Sequence, residues 1–196
     1  MRLLPRSVRG TWLLAAAAWL GGCKLGPRGA SGIMDPVWVR ALVYVLVVGG
    51  GWLVALPAGI LVAERGDWRP EFRPLPVALA GVVVFTVGFG LACWAGFCLI
   101  QYGRGTPLPL DPTRRLVTCG PYRWVRNPQA VAMVLMVVGE VAAIRSLALW
   151  VLLPLTVAYL EWLVGPWEER QMARNFGAEY ESYTRRVRKW LPRLGA

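Results

Sequence analysis

Hydrophobic residues in this chain fall in long blocks rather than short stripes. The first block is 37–63, and residues 41–63 within it carry no charge. That stretch is long enough to cross a hydrocarbon core of about 30 Å at about 1.5 Å per residue. The second block, 75–100, is wholly uncharged. The third, 129–144, and the fourth, 147–167, are separated only by Arg145 and Ser146. So short a break predicts an antiparallel hairpin. The third block is short for a full bilayer, so tilt or local thinning is expected. The pattern predicts an all-α integral membrane bundle of about four transmembrane helices. Gly81, Gly88, Ala92 and Gly96 recur near helical spacing, which predicts a small-residue face against another helix.

Two polar stretches interrupt the apolar blocks. The loop 105–128 reads GTPLPLDPTRRLVTCGPYRWVRNP. Its prolines and arginines cannot face lipid, where unpaired backbone groups and charge are both costly. The second polar stretch is 168–193. Within it Met172, Phe176, Tyr180, Tyr183, Val187 and Trp190 stand three or four residues apart. They share one face of an amphipathic helix, with basic residues opposite. Such a helix by itself reads as an interfacial anchor. Gly177 is expected to bend it and Pro192 to end it. Both basic stretches flank the hairpin on the same side. The positive-inside rule makes that side cytoplasmic. Loop and C-terminal helix are therefore expected to form one cap over the bundle.

The net charge is +11. In a soluble chain this would suggest nucleic acid. Here the arginines sit beside apolar blocks, so topology and anionic headgroups account for them, and no nucleic-acid partner is expected. There is no histidine, which excludes histidine bases, triads and metal ligands. Cys23, Cys93, Cys98 and Cys119 form no CxxC pair, so neither a disulfide framework nor a zinc site is expected. The eleven tryptophans suit anchoring at the membrane interface. High Ala, Gly, Arg and Trp usage points to a GC-rich bacterial genome, hence to the cytoplasmic membrane of a bacterium.

Residues 1–33 allow more than one reading. Arg2, Arg6 and Arg9 precede a short apolar run, and Gly21-Gly22-Cys23 follows. This resembles a lipoprotein signal. A surface amphipathic segment, or an extension ahead of a start at Met34, fits as well. The expected organisation is an extension over 1–33, two spans over 34–102, and a functional region over 103–196.

Three elements carry the candidate chemistry. They are Arg114-Arg115-Leu116-Val117 with Gly120-Pro121-Tyr122, then Arg126-Asn127-Pro128, then Glu168-Glu169 where the fourth block ends. Together with Phe176-Gly177-Ala178-Glu179-Tyr180 and Val187-Arg188-Lys189-Trp190-Leu191-Pro192, they resemble the isoprenylcysteine carboxyl methyltransferase family, with phospholipid methyltransferases as relatives. The resemblance covers about 103–193. The family signature is Arg-His-Pro-x-Tyr followed far downstream by Glu-Glu. This chain departs from it with Asn127 for the histidine and Ala130 for the tyrosine.

The resemblance implies S-adenosylmethionine bound under the cap. Carried over by position, its contacts would be Arg114, Arg115, Leu116, Val117, Tyr122, Asn127, Pro128, Gln129, Ala130 and Glu168. It also implies methyl transfer to a lipid-like or prenylated acceptor among the membrane lipids. A carboxylate acceptor is already ionised near pH 7 and needs no base, so carboxyl O-methylation suits a chain without histidine. Arg174, six residues after Glu168, is the candidate to hold that carboxylate, and Glu168 is the second catalytic candidate. An amine acceptor needs a base, for which Glu168 or Glu169 would serve. The alternatives are phospholipid N-methylation and a non-catalytic membrane protein that keeps the fold.

Overall fold

The computed structural model describes residues 49–66, 70–103 and 113–192. The 1–33 extension and most of the first half of block one lie outside them. Among the described residues the architecture is all-helical, with two isolated bridges, Phe72 to Ile144 and Val125 to Arg188. Helix α1 is Leu56–Arg65, entered through a π-helical turn Gly51–Ala55. Gly66, at φ 80°, ends it in the left-handed region that glycine adopts without strain. Helix α2 is Leu75–Cys98, extended by a π-helical turn Leu99–Gly103. Helix α3 is Pro128–Ala143.

A rod then runs from Ala148 to Arg186. It contains α4, Leu152–Ala158, a π-helical turn Tyr159–Val164, and α5, Gly165–Arg186. Gly177, at φ 47° and ψ −122°, breaks α5 where a bend was expected.

Two described helices are long and apolar enough to cross a bilayer, Leu75–Gly103 and Ala148–Arg186. The sequence predicts about four. Helix α3 has 16 residues, roughly 24 Å at 1.5 Å each, which falls short of the core thickness. Of the first block only its C-terminal part is described. The rod has 39 residues, far more than about 30 Å of hydrocarbon holds. Its apolar part ends at Trp167, and Glu168 opens the polar part.

Helices α2 and α3 pack backbone to backbone. A Cβ on Gly139 would lie 2.6 Å from both Gly81 O and Phe85 N, and one on Gly88 would lie 2.9 Å from Ala132 O. Small residues permit this approach, as expected. The buried face of α2 is Ala78, Gly81, Gly88, Ala95 and Cys98. Gly81 and Gly88 are therefore on it, whereas Ala95 takes the place predicted for Ala92 and Gly96. The other faces of α2 expose Leu79, Val83, Val87 and Phe89, as suits lipid contact.

A core of Leu61, Val137, Val141, Leu149 and Leu152 joins α1, α3 and the rod. At this end Ser146 accepts from Leu149 N at 3.2 Å and donates to Glu64. Arg73 N donates to Ala143 O at 2.9 Å and Arg145 N to Glu71 O at 2.6 Å. These bonds close the end of the bundle remote from 113–127. That leaves the other end, where α2 stops and α3 begins, free to build a cavity.

Candidate active site

The polar segment ahead of α3 folds into a tight turn. Gly120, at φ 60°, opens a 3-10 turn Gly120–Arg123. A Cβ there would meet Cys98 Sγ at 2.7 Å, so only glycine lets the turn press on α2. Pro121 stands in the first helical positions, where a missing N–H costs little. The turn buries Tyr122 against Ala95, Cys98 and Val117.

The chain then passes beside the C-terminal segment, where Val125 makes an isolated parallel bridge with Arg188. Arg126 N donates to Arg188 O at 2.8 Å, and Asn127 N to Lys189 O at 3.3 Å. Asn127 caps α3, its Oδ1 accepting from Ala130 N at 3.1 Å. Its Nδ2 donates to Glu168 Oε2 at 3.2 Å. One side chain thus fixes a helix start and a carboxylate on another helix. Arg126 Nη2 lies 3.3 Å from Glu169 Oε1, and Arg126 Nε is buried with no partner among the described residues.

The C-terminal helix packs against the Gly120–Arg123 turn. Tyr183 Oη donates to Tyr122 O at 2.6 Å. Tyr180 and Tyr183 are buried, and Met172, Phe176, Val187 and Trp190 partly so. The aromatic stripe therefore docks on protein rather than serving as the interfacial anchor that its pattern alone suggests.

These elements enclose a cavity of about 150 Å³. Its walls are Leu116, Val117, Tyr122, Gln129, Ala130 and Met133 on one side and Leu160, Val164, Met172, Tyr180 and Tyr183 on the other. Its polar groups include Arg126, Asn127, Glu168, Glu169 and Lys189. Burial pushes the Glu168 carboxyl up to about 7, with Asn127 and Lys189 pulling it down and Glu169 pushing it up. Burial also raises the Tyr183 phenol.

Of the sequence-predicted contacts, Leu116, Val117, Tyr122, Asn127, Gln129, Ala130 and Glu168 line this cavity. Pro128 is buried beside it, as the first residue of α3. Arg114 and Arg115 do not line it. Their side chains are exposed, and their backbone N–H groups bond Gly103 O at 2.8 and 3.3 Å. Arg174 is exposed and lines no part of it either. Six residues of helix turn it well away from the Glu168 face.

The sequence does not mark Lys189, Tyr180 and Tyr183 as cavity residues; it marks Arg126 without a role and Glu169 only as an alternative base. The stripe was the visible signal for the tyrosines. No local signal marks Lys189, because the pairing of 126–127 with 188–189 is tertiary.

Comparison with known proteins adds an independent observation. The profile of the phospholipid methyltransferase family matches residues 77–179. The match runs from α2 into α5 and includes Tyr122, Asn127, Ala130 and Glu168. Comparisons with curated proteins and with solved structures returned no match. The match spans more than half of the 196 residues and falls on the relative named by the sequence resemblance rather than on the isoprenylcysteine enzymes themselves. The chain belongs to the phospholipid methyltransferase family, membrane methyltransferases acting on lipid-type substrates.

Proposed function

We propose that this protein transfers a methyl group from S-adenosylmethionine to a lipid-like acceptor at the cap end of the bundle. The observation that carries the reading is that the half-buried Glu168 carboxyl and Arg126, whose Nε is unpartnered among the described residues, line one cavity. These groups fit the cofactor. Arg126 Nε offers a desolvated donor to its carboxylate, and Glu168 offers an acceptor to its amino group or ribose hydroxyls. Tyr122, Val117 and Leu116 offer an apolar wall to the adenine. When bound, the cofactor supplies an electrophilic methyl group on a sulfonium.

The chain's own residues do the rest by position and by excluding water. Asn127 holds Glu168 in place. Tyr183, tied to Tyr122, holds the C-terminal helix over the cavity. Leu160, Val164 and Met133 line the cavity with apolar side chains suited to an acyl or prenyl chain. By the positive-inside argument the cap faces the cytoplasm, at the bacterial inner membrane.

We favour an amine headgroup as acceptor. An ammonium must lose a proton before it attacks, and a carboxyl titrating near 7 is matched to that task. The exposed position of Arg174 also takes away the residue expected to hold an acceptor carboxylate. Carboxyl O-methylation is the second reading, with Arg126 rather than Arg174 facing the carboxylate.

The test is isothermal titration of the detergent-purified protein with S-adenosylhomocysteine. Saturable binding is expected, weakened by Glu168→Gln; no binding at millimolar ligand refutes the reading. Labelled cofactor then separates the acceptors. Stable label in lipid headgroups marks N-methylation, and base-labile methanol marks an ester.

A further inference from the structure

Lys189 lies beyond the end of α5, on a segment whose backbone is already held. Arg188 O and Lys189 O accept from Arg126 N and Asn127 N. The lysine side chain is therefore not needed to tether this segment, yet it is 16% exposed. A buried ammonium is costly unless paired. Its partner is Glu161, whose Oε2 accepts from Lys189 Nζ and from Trp190 Nε1, each at 2.8 Å.

The route to Glu161 crosses Gly165. A Cβ on Gly165 would lie 2.7 Å from Lys189 Nζ and 2.8 Å from Leu160 O. The missing side chain makes the groove in which the ammonium lies. Gly165, Glu168 and Lys189 all line the one cavity. Lysine carries three donors, so the bond to Glu161 does not exhaust it.

We infer that Lys189 is a positioning residue of the methyl-transfer site: Glu161 holds its ammonium across Gly165, one helical turn from Glu168, and so places a positive charge in the cofactor pocket. The inference rests on the reading of this cavity as the cofactor site. The charged and polar groups around Glu168 are Asn127 at the start of α3, Lys189 from the C-terminal segment, Tyr180 from α5 beyond the kink, Gln171 on the same helix, and Glu169 beside it, itself paired with Arg126. Of these only Lys189 carries a positive charge not already spent on a cavity carboxylate.

The pair predicts opposite signs for its two members. Lys189→Met removes the positive charge, so Glu168 ionises at higher pH. Glu161→Gln keeps an amide oxygen to accept from Lys189 Nζ, so the ammonium stays in its groove without its counter-charge and Glu168 ionises at lower pH. The assay is the pH dependence of S-adenosylhomocysteine affinity on the full-length protein in detergent. Lys189→Met is expected to move the midpoint up and lower affinity at pH 7 by roughly fivefold, the effect of about one pH unit on a half-ionised group. Glu161→Gln is expected to move it down. Midpoints that move the same way, or not at all, overturn the inference, because a tether would respond alike to loss of either partner.

A ligand-free cycle separates this from failure of the cofactor reading. The pH-dependent difference in thermal midpoint between wild type and Lys189→Met must vanish in a Glu168→Gln background. Its persistence there overturns the coupling even if the ligand binds. Its disappearance upholds the coupling even if wild type fails to bind the ligand, in which case only the cofactor reading falls.

Discussion

Asn127→Ser isolates one of the two tasks that Asn127 performs. Serine is as good an N-cap as asparagine, so the bond to Ala130 N is kept in kind. Its shorter side chain cannot reach Glu168, so the 3.2 Å bond from Nδ2 is lost. A hydrogen bond to a charged group contributes about 1.5–3 kcal/mol. At 3.2 Å this one is at the long end of N–H···O geometry, so the lower figure applies, equivalent to about one pH unit. Glu168 titrates near 7 in the native protein and is half ionised at pH 7. In the variant it titrates near 8, and roughly a tenth is ionised at pH 7. If the cofactor meets the carboxylate, affinity falls roughly fivefold at pH 7. The deficit shrinks to less than about twofold at pH 8.5, where both proteins are mostly ionised. Titration calorimetry with S-adenosylhomocysteine between pH 6 and 8.5 measures this, with circular dichroism to confirm the helices. A deficit that stays constant with pH would show that Asn127 acts through shape alone, and no deficit at any pH would show that Glu168 is not a contact.

Three further outcomes follow from the same geometry. Glu168→Gln should weaken the ligand yet stabilise the protein above neutral pH. The folded-state value is raised from 4.5 to about 7, so the folded form holds the proton more tightly, and stability falls as pH rises through that window. The gain is of order ~3 kcal/mol above pH 7 and vanishes near pH 4, read as thermal midpoints in detergent. Tyr183→Phe leaves the Tyr122 carbonyl without its 2.6 Å donor. It should cost about 1–3 kcal/mol and speed proteolysis of the C-terminal helix while the membrane helices stay protected. Gly139→Ala places a methyl 2.6 Å from backbone atoms of α2, which cannot give way as a side chain can. A loss of about 1–3 kcal/mol is expected, and an unchanged thermal midpoint would refute the close approach.

The sequence by itself determined the helical class, the two polar stretches, and seven of the residues that line the cavity. Apolar block length settles where helices can lie, because lipid tolerates no other backbone. Glycine spacing settled which face of α2 takes a partner, and the stripe from Met172 to Trp190 settled which face of α5 is covered. Residue order also fixed Tyr122, Asn127 and Glu168 as a set, since each lies in a recognisable motif.

The tertiary structure decided which neighbours count. Arg114, Arg115 and Arg174 look as good as Arg126 by composition, yet only Arg126 is folded inward, because its backbone pairs with Arg188. Lys189 reaches the site only through that same pairing. The stripe's target, Tyr122 rather than lipid, depends on a bond between residues 61 apart. The glycine at 165 acquires its meaning only when a lysine from beyond the end of α5 crosses it. Local sequence carries helix and turn preferences, but the field at Glu168 is set by groups that are distant in sequence, and only the packed cap brings them together.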